Sequence, residues 1–555
     1  MIDVKRDFDA VGDGIANDTQ ALKEAIENQG KYTLVYLPNG TYLVDAPIAY
    51  ANRRVWVHGE SRDGVVIKLK DNCRAFGDPQ NPQPVLSTWN AWKRGLTSAV
   101  IFRQELYNVT IDVGKGNPGA VGLNYFTSNA GCVRNVRIRS SDPQKVGFAG
   151  FVLGMAWPGP GLIDGMIVEG FDYGCHTRIN QYSMTFKDIT LRNQRVAGWS
   201  NRKQAVFIHN LTSEQSAGVP ALENERGRVV LVNGDLSGER STAIKTDDSE
   251  FYARNITTGG YESSISAGES RIAEPFVNEW CSRDVCQLFD GSRTSLNLPL
   301  QETPEVPWGD HEGWVYAGNF GKDSAAIQAA IDSGAHTVYF GPKDMFQIDA
   351  TVVLRGNLRR LIGFGGRLNC EELPSESPTF RLDEGRSPIV EVSRMATYIG
   401  GKRGIEIADN RTLVLRSLIF GGGVFNSSPG KLFIEDVSSE HIQIGRGLRA
   451  WAWQLNSEAP DYNIHNREGT LWLMGLKTEK GALSIGTYDG GRTEVLGTFV
   501  YNNKRLQDTN FVVEDSRFSV FGNNHNFPIA VRETRRGIQK TLSGKEFSGF
   551  YVSDN

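Results

Sequence analysis

Short strand-like segments recur along this chain about every 20 to 30 residues, and few folds tolerate that rhythm. In the first half they are Asn108–Asp112, Asn135–Ile138, Met166–Val168, Asp188–Leu191, Asn210–Thr212, Val229–Val232 and Asn255–Thr257. In the second half they are Leu413–Ile419, Leu432–Val437, Leu471–Leu476, Thr498–Tyr501 and Phe511–Val513. Segments this short, set off by glycines and polar residues, suit a sheet built in rungs rather than a helix. Each rung stacks on its neighbours and buries its inward side chains in a shared column. The 61 glycines fit the many tight turns that such a stack needs.

A second regularity is a duplication. Asp18 and Thr19 are good helix N-caps before an apolar stripe of Ala21, Leu22, Ala25 and Ile26, and Gly30 ends the helix. A buried strand Thr33–Leu37, a Pro38-Asn39-Gly40 turn and a strand Thr41–Val44 follow. The plan returns with Asp323-Ser324, then Ala326, Ala330 and Ile331, Gly334, Val338–Phe340, Gly341-Pro342 and Phe346–Ile348. At 555 residues the chain is too long for one ordinary core. Three prolines between Leu298 and Trp308 suit an extended linker, so the expected units are 1–297 and 317–555, joined by 298–316. An amphipathic helix laid over the first rung of each half would cover an open end. Trp308 and Trp314 are expected to pack on one helix or the other.

Several classes drop out. With 60 basic and 64 acidic residues there is no basic excess for nucleic acid. No apolar run reaches the roughly 18 residues of a membrane span. Met1-Ile2-Asp3 leads straight into fold-like sequence, so no signal peptide is expected in this stretch, whether Met1 is a native start or the mark of a trimmed chain. Of six cysteines only Cys281 and Cys286 are close, either as a pair or as two buried thiols, and no zinc pattern exists. Gly114–Gly119 fits a phosphate-loop spacing, but Pro118 and the strand-like Val121–Tyr125 spoil the helix that must follow. No HExxH or GxSxG is present. The chain is expected to need no cofactor or metal, and to be a monomer.

The stretch Leu471 to Gly497 reads as strands Leu471–Leu476, Ala482–Thr487 and Thr493–Val495, with a turn at Gly490-Gly491. Glu479 falls just past the first strand, on the rim, where a carboxyl group has scaffold on one side and open space on the other. Glu458 precedes it by 21 residues, close to one rung.

The opening DFDAVGDGIANDTQALKEAI, residues 7–26, with Val35–Tyr42, resembles the N-terminal signature of the pectate-lyase-like superfamily of right-handed parallel β-helices. Two such modules resemble glycoside hydrolase family 55, as do residues 116–122, 451–458, 471–479 and 491–497. Trp453 stands where that family's pattern has an arginine before Gln454. The resemblance implies an all-β chain of two tandem right-handed parallel β-helices packed side by side, each with an N-terminal capping helix. It also implies hydrolysis of β-1,3-glucan with inversion, in a cleft between them. Carried onto this sequence, the general acid falls on Glu479, with Glu458 as its partner.

Inverting hydrolysis needs a protonated carboxyl at the leaving oxygen and a base across the sugar, about 6.5–9.5 Å apart. The acid needs a raised pKa, against which Lys477 and Lys480 would work unless strand alternation turned one aside. Expected substrate holders are the amides of Asn180, Gln181, Gln194 and Gln204, and the rings of Trp157, Trp199, Trp451 and Trp453. The rivals are a lyase on a uronate polymer, served by Arg446, Arg449, Lys477 and Arg492, and a tailspike-like carbohydrate binder without catalysis. A polymeric substrate places the expected location outside the cell or in the periplasm, with the cytoplasm left open.

Overall fold

The computed structural model describes residues 1–27, 30, 33–50, 54–89, 101–178, 182–216, 218–247, 249–398 and 403–554. The chain divides into two units, Met1–Ser282 and Arg283–Asn555. Nearly all regular structure is strand.

In the first unit, Glu105–Asp112, Cys132–Arg139, Leu162–Glu169, Ser183–Arg192, Ala205–Glu214, Arg228–Ser237 and Glu250–Gly259 lie side by side in one parallel sheet. The strands between them in sequence form a second sheet. Each coil thus gives one strand to each sheet, which is the connectivity of a β-solenoid. Every strand-like segment read from the first half lies in the former sheet. Inward side chains stack in register: Ile111, Ile138, Val168 and Leu191, then Ser213, Leu236 and Thr258. Burying each large apolar member stabilises the stack by about 1.5–3 kcal/mol.

The residues that open several segments share one conformation. Asn108, Asn135, Asp188, Asn210, Asn233 and Asn255 have φ between 53 and 59°, and Gly165 has 68°. Asparagine, aspartate and glycine tolerate this left-handed region best. The side chains then bond along the stack: Asn135 to Asn108 at 2.8 Å, Asn210 to Asp188 at 2.7 Å, and Asn233 to Asn210 at 3.2 Å.

The second unit repeats this plan, with Thr412–Ile419, Gly430–Ser439, Leu448–Ser457, Thr470–Thr478, Arg492–Val500 and Arg517–Phe521 adjacent in one sheet. In five of these strands the equivalent left-handed positions are Ser417, Asp436, Gln454, Gly475 and Gly497. The duplication shows in the helices Thr19–Glu27 and Ser324–Asp332: Leu22, Ala25 and Ile26 are buried in one core, Ile327, Ala330 and Ile331 in the other. Asp323 caps its helix through the Ala326 N–H at 2.8 Å.

The proline-rich stretch lies along the second unit's own strands. Glu494, fully buried, accepts the N–H groups of Asn297 and Leu298, both at 3.0 Å. The Trp451 indole donates to the Pro299 carbonyl at 3.0 Å, and Arg360 donates to the Val306 carbonyl at 2.6 Å. Trp308 and Trp314 stack on each other, and Trp308 covers the Arg360 guanidinium at 3.6 Å. No disulfide joins Cys281 to Cys286; both are thiols.

Candidate active site

Leu471, Leu473 and Leu476 point into the core of the second unit. Between Leu473 and Leu476 the chain passes through Gly475 at φ 82°, a left-handed kink that lies opposite those at Gln454 and Gly497 and shifts the strand's inward–outward alternation. Lys477 therefore faces outward, in register with Asn456 on one side and Phe499 on the other. Two residues beyond this row, at the strand ends, stand Glu458, Glu479 and Tyr501.

These side chains converge. The Lys477 side chain is completely buried, yet its ammonium lies 2.5 Å from Glu458 Oε1 and also bonds Glu479 Oε1. The two carboxylates are each about a fifth to a quarter exposed, at 22% and 24%. Asn456 donates to Glu458 Oε1 at 3.1 Å, and Lys480 Nζ to the Glu458 carbonyl at 2.7 Å. The Tyr501 hydroxyl bonds Glu479, and its ring centroid is 5.8 Å from Lys477 Nζ. Glu440 takes the equivalent place one coil earlier, with Oε2 accepting the Gly422 N–H at 3.1 Å.

The electrostatics run opposite to expectation. Burial pushes the Glu479 carboxyl upward, but the Lys477 charge and hydrogen bond, the Tyr501 bond and the Lys480 charge together outweigh it and hold it below its ordinary value. Neither lysine is turned aside. Two oxygens bonded to one ammonium also lie at most about 6 Å apart. The resting pair is thus closer than the roughly 6.5–9.5 Å that inversion needs.

Most of the expected substrate holders are structural. Gln194 is buried, donates to the Gly170 and Arg192 carbonyls at 3.0 and 2.9 Å, and accepts from Gln215 at 2.8 Å. Gln204 is buried, accepts the Tyr182 N–H at 3.3 Å and donates to the Arg178 carbonyl at 3.1 Å. Trp199 sits in the core, edge-on to Phe186, with its indole N–H on Thr177. Trp453 and Trp472 meet edge to face at 4.5 Å, both buried. Trp451 lies flat against Phe433 and under Pro299. None of these five presents a face to a sugar, because a solenoid uses amides and large rings to fill its coils and seat its straps. Asn180 and Gln181 lie outside the described residues. Trp157, on a turn with φ 58°, is 43% exposed.

Sequence reasoning treated Lys477 as a perturbation and overlooked Asn456 and Tyr501. The signal was there: Tyr501 follows Glu479 by 22 residues, one coil, as Glu479 follows Glu458 by 21. Among the described residues no group of three or more His, Cys, Asp or Glu side chains is placed to hold a metal. No described helix is long and apolar enough to cross a membrane.

Residues 1–222 match the family model of rhamnogalacturonase A/epimerase, pectate lyase-like, so the resemblance read from the opening residues stands. A glucan 1,3-beta-glucosidase of Cochliobolus carbonum is 25% identical over 200 residues, which is 32% of this chain and 24% of that protein. The chain therefore spans about a quarter of that relative. Among solved structures, the pre-mature bacteriophage phi29 gene product 12 aligns over 90% of this chain and 71% of its own, at 13% identity and TM-score 0.31. The catalytic unit of a GH87 alpha-1,3-glucanase from Streptomyces thermodiastaticus aligns over 89% and 68%, at 12% identity and TM-score 0.26.

Proposed function

We propose that the chain is a glycoside hydrolase that cleaves β-1,3-glucan with inversion, using Glu479 as acid and Glu458 as base. The observation that carries this reading is the convergence of the two glutamates, from adjacent coils, on the single ammonium of Lys477 at an open rim. The match to a glucan 1,3-beta-glucosidase supports the choice of polymer.

At rest Lys477 holds Glu479 ionised, and Glu479 is not yet an acid. A sugar whose glycosidic oxygen displaces Lys477 from Glu479 removes the strongest influence opposing burial. Burial then favours the protonated carboxyl, which is the form that can donate. Parting the two carboxylates also opens the room that a water molecule needs. The Glu479 proton passes to the leaving oxygen as the anomeric C–O bond breaks. Water forms the new bond from the opposite face, and its proton passes to Glu458. Lys477 stays paired with Glu458, and Tyr501 holds the orientation of Glu479.

Elimination from a uronate fits less well. Of its candidate bases, Lys477 is ion-paired to two carboxylates and so is not placed to take a proton. The helices at Thr19–Glu27 and Ser324–Asp332 we assign to closing the open ends of their stacks. A substrate of this kind also favours a location outside the cytoplasm. The test is a panel of β-1,3-, β-1,4- and β-1,6-glucans and uronate polymers. Reducing sugar from laminarin without unsaturated-product absorbance supports the reading. That absorbance from a uronate, or no product from any polymer, refutes it.

A further inference from the structure

On the other sheet of the second unit, successive coils bring four rings together. Tyr462 and His465 stack with centroids 3.6 Å apart and planes within 8°. His441 lies 4.6 Å from Tyr462, and Tyr488 meets His465 edge-on at 5.3 Å. Gly486 is the strand neighbour of His465. A Cβ there would fall 2.1 Å from the Tyr488 hydroxyl, so the missing side chain is what lets the Tyr488 ring fold back over the strand. All four rings are partly exposed.

The rim of this strip is polar. Gln443 donates to the Tyr462 hydroxyl at 2.5 Å, and the Arg467 guanidinium lies 5.1 Å from the Tyr488 centroid. Asp461 is 3.6 Å from His441 Nε2, and Glu514 is the strand neighbour of Tyr488. Acidic and basic groups are mixed, which disfavours a polyanion. Burial holds His465 at about 4, so it is uncharged at neutral pH. Aromatic faces edged by amide, hydroxyl and guanidinium groups suit a neutral pyranose, with its C–H face on the rings and its hydroxyls on the rim. Tyr462 follows Glu458 by only four residues along the chain.

We infer that His441, Tyr462, His465 and Tyr488 form a second carbohydrate-holding strip, for a neutral β-glucan chain, outside the Glu458–Lys477–Glu479 centre. This rests on the reading that the chain acts on a glucan, but it is tested by binding rather than by turnover. Native electrophoresis of the full chain carrying Glu479→Gln, in gels containing laminarin or polygalacturonate, supplies the readout. Tyr462→Ala or Tyr488→Ala is expected to weaken retention by laminarin about 3- to 10-fold. Arg467→Ala, at an exposed position whose guanidinium also pairs with Asp489 of the next coil, is expected to weaken it about 2-fold. Unchanged retention in all three variants, retention by polygalacturonate instead, or no retention of the parent overturns the strip. A chain that releases no sugar but is still retained through Tyr462 loses the catalytic reading and keeps this one. A chain that releases sugar with Tyr462-independent retention does the reverse.

Discussion

Lys477 Nζ lies 2.5 Å from Glu458 Oε1 at the bottom of the proposed site, and the same buried nitrogen is bonded to Glu479. One positive charge thus holds two negative ones at the ends of adjacent coils. That arrangement sets the first two predictions.

Replacing Lys477 with Met leaves two partly buried carboxylates facing each other without their counter-charge. The expected loss of stability is about 1–3 kcal/mol, read as a shift in the urea midpoint. In the same variant the main influence lowering the Glu479 pKa is gone and burial remains. The pKa at which kcat/KM falls toward alkaline pH, which reports the general acid, therefore moves up. A downward move, or none, contradicts the assigned role of Lys477.

The folded state holds the Glu479 carboxyl below its ordinary value of 4.5. A depressed value means that the unfolded chain binds the proton more tightly, so ionised Glu479 stabilises the fold above the unfolded-state value. That contribution is lost as pH falls through the folded-state value. The difference in Tm between the parent and Glu479→Gln is expected to be constant above about pH 5 and to shrink below 4.5. Calorimetry across pH 3 to 7 checks it, and a difference that grows toward acid refutes it.

Glu494→Gln turns one of two acceptors into an N–H group aimed at the N–H of Asn297 or Leu298. The expected cost is about 1–3 kcal/mol. Limited proteolysis should show earlier cleavage between residues 288 and 308, because this anchor ties the proline-rich stretch to the strands.

Asn210 donates to Asp188 at 2.7 Å and accepts from Asn233 at 3.2 Å while its backbone sits at φ 56°. Asn210→Ala loses both bonds and places a Cβ in a disfavoured region, for about 2–3 kcal/mol. Asn210→Gly loses the bonds but not the backbone tolerance, and its urea midpoint should fall between those of the parent and the alanine variant.

The two sheets were unequally legible in the sequence. Segments such as Asn210-Leu-Thr212 stand out because a bulge residue precedes an apolar inward side chain at each coil. Their partners in the first unit's second sheet, such as Tyr173–Thr177 and Leu222–Glu225, are short and largely polar, and they carry no comparable pattern. Glu458 and Glu479 were legible because neighbouring coils have nearly equal length, so spacing alone puts both on one rim. The direction of Lys477 was not legible, since it depends on the left-handed kink at Gly475, which reverses the simple alternation of the strand. Gln194, Gln204 and Trp199 misled because a buried ladder and a sugar-binding ladder use the same residue types at the same spacing. Only burial separates them.

The most direct measurement is reducing-sugar release from laminarin by the parent and by Glu479→Gln, with laminarin binding followed in parallel. The account predicts that the variant loses at least about 100-fold in kcat while still binding the polymer. A variant that turns over as fast as the parent would contradict it.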